Sequence, residues 1–200
     1  MKTKRILFAT YDLPFSKDTG DSIYTMNILE GLVNLGFRVD MLCYDSLVIT
    51  EDRLKLFRSM GIDCYSVEFI SRPKLGLILS KNPGMVANRK SKEYLDEFKR
   101  LVTHKSYSFV FINHLKMSFI VKPYRRLKVQ SKLIYVAHNA EYLLSKNNAK
   151  HTGSLVRKML FWQDSIKTRI YEKKWLRYFD GITAISEHDL EYHSGFICKK

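Results

Sequence analysis

A chain of 200 residues with 46% hydrophobic and 27% charged content has enough apolar material for one substantial core, and its 9 glycines and 4 prolines set it apart from fibrous and disordered chains. Its 34 lysines and arginines against 20 aspartates and glutamates give a net charge of +14, which favours an anionic partner (lipid headgroups, nucleic acid or an acidic substrate) unless it only keeps the surface soluble. Cys43, Cys64 and Cys198 are scattered without Cys-x-x-Cys spacing, which argues against a disulfide framework and a zinc site and fits free thiols in a reducing compartment.

"RILFAT" (5–10) reads as a buried strand. A helical stripe follows over 22–35: Tyr24, Ile28, Leu32 and Leu35 share a face, with Leu29 and Val33 beside it, and Gly36 stands where a C-terminal glycine stops a helix. "FRVDMLCY" (37–44) is a second strand, and 50–61 a helix from Thr50, a candidate N-cap, to Gly61. "IDCYSVEFI" (62–70) is a third strand. Residues 71–89, with Pro73 and Pro83, read as a loop with a helical turn, and 91–103 as a helix. "YSFVFIN" (107–113) is a fourth strand, followed by a helix of undefined length. "KLIYVAH" (132–138) is a fifth strand, 154–178 a long basic amphipathic helix, "GITAIS" (181–186) a sixth strand, and "EHDLEYH" the start of a last helix. No apolar run approaches the ~18 residues of a membrane span. The run after "MKTKR" ends at Ala9, unlike a secretory leader, so a cytoplasmic protein is expected.

Strands alternating with helices specify α/β architecture: one doubly wound, mostly parallel, Rossmann-like sheet over 1–200, covered on both faces. In such sheets ligands bind beyond the carboxyl ends of the strands. The positions to weigh are therefore Tyr11 to Ser22, Tyr44–Asp45, Asn113–His114, His138–Asn139–Glu141 and Ser186–Glu187. Taken singly these have plain structural roles: a strand-end histidine packs, Asn139 caps the following segment, and Ser186 caps the last helix with Asp189 reaching back. Their collection at one edge points to a site. The six histidines lack metal-ligand spacing, and no G-x-S-x-G elbow or Cys/His pair appears, so neither a metal nor a hydrolytic nucleophile is expected.

Four pieces resemble the amino-terminal domain of GT-B-fold retaining glycosyltransferases of family four. The opening strand runs through Pro14 and the Gly20–Asp21 turn into a helix ending "LVNLGFRV" and a second strand. "FVFINH", "IYVAHNAEYLL" and "YEKKWLRYFDGITAISEHDLE" follow in the family's order. The resemblance implies transfer of a sugar from a nucleotide-diphosphate donor to a glycan or lipid-linked acceptor, with retention and without metal or other cofactor. It implies His114 as the catalytic residue beside the donor sugar. The substrate-binding wall it implies comprises Gly20, Asp21, Tyr24, Asn113, His138, Asn139, Glu141, Ser186 and Glu187. Relatives often carry Arg where Tyr24 stands. Asp21 is expected to cap the helix or meet a sugar hydroxyl, and Gly20 to allow close backbone approach. The family's donor-binding carboxyl-terminal domain is absent from the 200 residues, so the chain alone is expected not to catalyse transfer.

The basic, apolar stretches 72–92 and 154–179 have the composition of interfacial segments, so docking at an anionic membrane is expected beside packing on the sheet as the alternative. A second functional reading is a non-catalytic basic nucleotide- or nucleic-acid-binding module. It lacks G-x-G-x-x-G, and no nucleic-acid motif accompanies the spread-out charge, so no specific nucleic acid is expected.

Overall fold

The computed structural model describes residues 4–14, 19–45 and 50–197. Six strands form one sheet, β1 (Arg5–Ala9), β2 (Arg38–Asp45), β3 (Ile62–Glu68), β4 (Phe109–Asn113), β5 (Lys132–Ala137) and β6 (Gly181–Ala184). All neighbours are parallel, in the order β3-β2-β1-β4-β5-β6. Around them lie α1 (Gly20–Asn34), α2 (Glu51–Ser59), α3 (Lys74–Leu79), α4 (Gly84–Arg89), α5 (Lys92–His104), α6 (Val121–Arg126), α7 (Glu141–His151), α8 (Leu155–Trp175) and α9 (Glu187–Ser194), with short 3-10 turns at Leu115–Ile120 and Leu176–Tyr178. This is the expected Rossmann-like α/β fold.

Side-chain alternation along the strands makes two cores. Leu7, Ala9, Leu42, Val110, Ile112 and Tyr135 face a layer that includes Tyr94, Phe98 and Tyr124. Ile6, Phe8, Val39, Met41 and Val136 face Leu29 of α1 and Phe57 of α2. Because both faces are covered, the strands read as continuous apolar runs.

α1 ends as its glycine predicts. Gly36 takes φ +81°, its N–H donates to Val33 O at 2.8 Å, and Phe37 N donates to Leu32 O at 3.1 Å. This paired closure satisfies the last carbonyls. Leu35 departs from the expected stripe: it is the C-cap and 75% exposed, because the helix ends before the face is completed. Residues 71–89 hold two short helices, each begun after a proline, Pro73 and Pro83; proline's fixed φ suits a helix start. Cys43 is buried and Cys64 half-buried, both free; Cys198 lies outside the described residues.

The amino-terminal edge of the sheet carries a satisfied charge cluster. Asp40, fully buried, accepts from Arg5 Nη1 at 2.7 Å, Lys105 Nζ at 2.7 Å and the Tyr107 hydroxyl at 2.7 Å.

Candidate functional site

The strand order reverses between β1 and β4, which opens a crevice beyond their carboxyl ends. Four segments converge there: Thr10–Leu13 after β1, the start of α1, Asn113–His114 after β4 and His138 after β5. The stretch 15–18 before α1 lies outside the described residues.

Asn113 is the fixed point. It is buried, and its amide nitrogen donates to Thr10 Oγ1 at 3.0 Å and Thr25 Oγ1 at 3.2 Å. Its carbonyl oxygen meets His138 Nε2 at 2.7 Å. In this orientation Nε2 carries the hydrogen, so His138 Nδ1, 3.2 Å from Asp21 Oδ1, makes that contact only with a proton between them. Burial pushes His138 down to about 4, against the opposing pull of Asp21. His114 stacks on His138 with ring centroids 3.5 Å apart and planes 16° from parallel. Its Nε2 lies 3.7 Å from Asp21 Oδ2 and has no hydrogen-bond partner among the described residues. Burial, then the neighbouring His138 and Lys116, hold His114 well below the usual imidazole range. One carboxylate thus brackets the ends of two stacked, largely neutral imidazoles. Tyr24 closes the far side of His138, edge-on at 5.1 Å, and Tyr11 meets His114 edge-on at 5.0 Å.

The backbone at His114 is itself unusual, with φ +68° and ψ +152°. That region is nearly closed to residues with a Cβ and costs ~1–3 kcal/mol when a structure enforces it. The His114 N–H is held by Val136 O at 3.0 Å and its carbonyl by Met117 N at 3.1 Å, so neighbouring elements impose the conformation.

Donor atoms of Asp21, His114 and His138 lie within 4.8 Å of one another, the spacing of a metal triad. Sequence spacing does not reveal this group because three elements supply it. The near-parallel rings send their lone pairs side by side, whereas a tetrahedral or octahedral ion requires them to converge. As it stands the arrangement suits sharing a proton.

The other sequence candidates sort by position. Asp21 does not cap α1: Thr19 does, its Oγ1 accepting from Ser22 N at 3.3 Å, which frees the Asp21 carboxylate for the histidines. A Cβ at Gly20 meets nothing within 4 Å, so the fold itself does not demand glycine there. Asn139 is exposed and caps nothing; Ala140 holds the N-cap position of α7, and the Asn139 carbonyl faces His193 Nε2 at 3.2 Å. Glu141 is buried at the start of α7, where burial raises its carboxyl to about 7. Ser186 caps α9, accepting from Asp189 N at 3.1 Å. Ser186 and exposed Glu187 follow β6, two strands from β4, and no hydrogen bond or ion pair among the described residues joins them to the histidine pair.

Sequence reasoning passed over Lys116, Arg89 and Glu172 as site residues. Lys116 Nζ lies 3.5 Å from the Tyr11 ring centroid, with the Arg89 guanidinium carbon 5.4 Å from the same centroid. The signal for Lys116 was a lone cation inside the apolar run "HLKMSFIV". Glu172, fully buried in α8, accepts from the Tyr192 hydroxyl at 2.7 Å and Tyr142 N at 3.4 Å; burial raises it to about 7.

No protein-family model and no curated protein matches the chain in sequence. Its fold recurs in solved GT-B glycosyltransferases. Sucrose-phosphate synthase from Thermosynechococcus elongatus aligns with 98% of the chain at 15% identity and a TM-score of 0.59. A Medicago truncatula UGT complexed with UDP-glucose aligns with 96% at 10% identity and 0.57. A Phytolacca americana UGT complexed with UDP-2fluoro-glucose and pterostilbene aligns with 95% at 11% identity and 0.53. At such identities the likeness shows the fold. The chain spans 46–48% of the length of these proteins.

Proposed function

We propose that the chain is the acceptor-side half of a glycosyltransferase that moves a sugar from a nucleotide-diphosphate donor to a glycan or lipid-linked acceptor with retention of configuration. The observation that carries the reading is the bracketed histidine pair at the β1/β4 crevice, with His114 forced into a strained conformation that aims its ring there. Strain of this kind collects where geometry serves chemistry. The half-length match to glycosyltransferases of the same fold supports it.

In this reading His114 is the catalytic residue. Its unpartnered Nε2 faces a donor-sugar hydroxyl or the charge that develops as the nucleoside diphosphate departs. Asp21, His138 and Asn113 fix its ring, and the Asp21–His138 contact seats one shared proton. The diphosphate is gripped by a second Rossmann-like unit, and no metal takes part. The test is transfer of labelled sugar from UDP- and GDP-sugars by a protein containing both halves, with the anomeric configuration of the product read by NMR. The expected results are retention, insensitivity to EDTA, loss of turnover in His114→Ala, and no transfer by the 200 residues alone. Transfer by the isolated chain, or unchanged kinetics in His114→Ala, overturns the assignment.

We place this enzyme at the cytoplasmic face of an anionic membrane. No described helix is long and apolar enough to cross one. Leu75 and Leu79 of α3 and Leu155, Val156, Met159 and Trp162 of α8 are largely exposed, among Lys74, Arg157 and Lys158. Apolar side chains with interspersed cations suit interfacial binding. Co-sedimentation with phosphatidylglycerol vesicles but not phosphatidylcholine vesicles, lost on Trp162→Ser, is expected; equal binding to both removes the anionic-membrane reading.

A further inference from the structure

Two cations beside the histidine pair have no use in the scheme above. Three other half-buried cations are paired with carboxylates: Arg5 and Lys105 lie 2.7 Å from Asp40, and Arg125 2.9 Å from Asp180; Lys167 and Arg169 are instead bonded to the Ile78 carbonyl and the Tyr192 hydroxyl. Arg89 and Lys116 have no carboxylate within 4 Å among the described residues, and neither side chain makes a hydrogen bond there; both contact aromatic faces instead. Lys116 Nζ lies 3.5 Å from the Tyr11 centroid. The Arg89 guanidinium carbon is 5.4 Å from that centroid and 4.0 Å from that of Phe69. Aromatic faces hold a cation in place without neutralising it.

Burial lowers both cations from their ordinary values, and the charge of Arg89 further disfavours that of Lys116. Glu141, Asp21 and Asp12 act in the opposite direction on Lys116 from beyond contact distance. They moderate the cationic pair and leave it without a bonded oxygen among the described residues. The pair belongs to the crevice, since Tyr11 also packs on His114.

We propose that Arg89 and Lys116, seated on Tyr11 and Phe69, form a phosphate subsite that binds a phosphoryl group on the acceptor. A phosphate dianion has the charge and the several oxygens needed to satisfy a guanidinium and an ammonium from two different elements. The inference rests on the acceptor-side reading of this half. It narrows the acceptor to a phosphate ester: a soluble sugar phosphate or a polyprenyl phosphate in a membrane.

Binding by the 200-residue chain tests it without requiring transfer. One arm titrates inorganic phosphate, glucose 6-phosphate and glucose by calorimetry. The other measures co-sedimentation with phosphatidylcholine vesicles with and without polyprenyl phosphate. Either phosphate ester is expected to bind and glucose not to bind. Arg89→Met and Lys116→Met each weaken binding about tenfold or more, and Lys116→Arg restores most of it. Unfolding curves matching the parent show that the variants fold; a variant that does not fold is replaced by Arg89→Lys, for which weakened binding is expected because the planar fork is lost. Absence of phosphate binding in both arms, or equal binding by folded variants, overturns the subsite. Phosphate binding through these residues without glycosyl transfer by the two-half protein retains the subsite and removes the glycosyltransferase reading; transfer unaffected by both variants does the reverse.

Discussion

His114 gives the sharpest test of the crevice, through two substitutions that differ by one methyl group. Its φ of +68° and ψ of +152° place a Cβ where the backbone nearly forbids one. The penalty for an enforced non-glycine residue there is ~1–3 kcal/mol. His114→Ala keeps it and His114→Gly removes it. Both delete the ring, its stacking on His138 at 3.5 Å and its packing on Tyr11 at 5.0 Å, so those losses cancel in the comparison. Glycine's greater freedom in the unfolded chain returns ~0.4–1 kcal/mol in favour of alanine. The net expectation is that the Gly variant is more stable than the Ala variant by about 1–2 kcal/mol, against the usual order of these residues. Urea unfolding of both variants followed by circular dichroism, with equal m-values, measures the difference. An Ala variant more stable than the Gly variant by ~0.4–1 kcal/mol, the ordinary difference between these residues, means the backbone at 114 is relaxed. The argument that the fold holds strain to aim this ring then fails.

Three further outcomes follow from the same geometry. Asp40→Leu strands Arg5, Lys105 and Tyr107, which now share one buried carboxylate, and is expected to cost about 3–5 kcal/mol in chemical unfolding. Glu172, raised to about 7 by burial, contributes stability that is present below its ordinary value of 4.5 and lost as pH rises through 7, about 3 kcal/mol in all; Glu172→Gln flattens that part of the pH profile, and identical profiles for parent and variant count against it. His138, held near 4 from 6.5, contributes stability that is present above pH 6.5 and lost as pH falls through 4; His138→Gln removes that acid-side decline, visible as a smaller drop in melting temperature between pH 7 and 5.

The strands were legible because a parallel sheet covered on both faces demands unbroken apolar runs, and Gly36 and Gly61, both at φ +81°, marked two helix ends. α7 was not legible because its buried stripe is Glu141, Ser145 and Ala149, polar or small residues that carry no hydrophobic period. α3 and α4 were hidden by Pro73 and Pro83, which serve as starts where the sequence suggests breaks. Topology placed His114 and His138 at one edge, but their stacking depends on the adjacency of β4 and β5 and on side-chain rotation. Asp21 joins them from 93 and 117 positions away, distances no motif spans. Its expected capping role failed because Thr19, two residues earlier, already supplies the oxygen that Ser22 N requires. Ser186 illustrates the opposite case: the plain capping role visible in the sequence is the one its hydroxyl performs.

The two edges of the sheet handle buried polar groups in opposite ways, and the contrast itself carries information. At the amino-terminal edge, three donors converge on Asp40 and leave it satisfied. At the carboxyl edge, among the described residues, Lys116 and Arg89 lack an anion within contact and His114 Nε2 lacks a partner, and Glu141 is pushed toward neutrality. A domain selected for stability alone has no reason to collect these deficits, each of which costs free energy, around one crevice. On the proposed reading, a phosphate ester of the acceptor supplies oxygens that pair Lys116 and Arg89, while a donor-sugar hydroxyl answers His114. The molecules that supply these partners are the ones the crevice is built to hold.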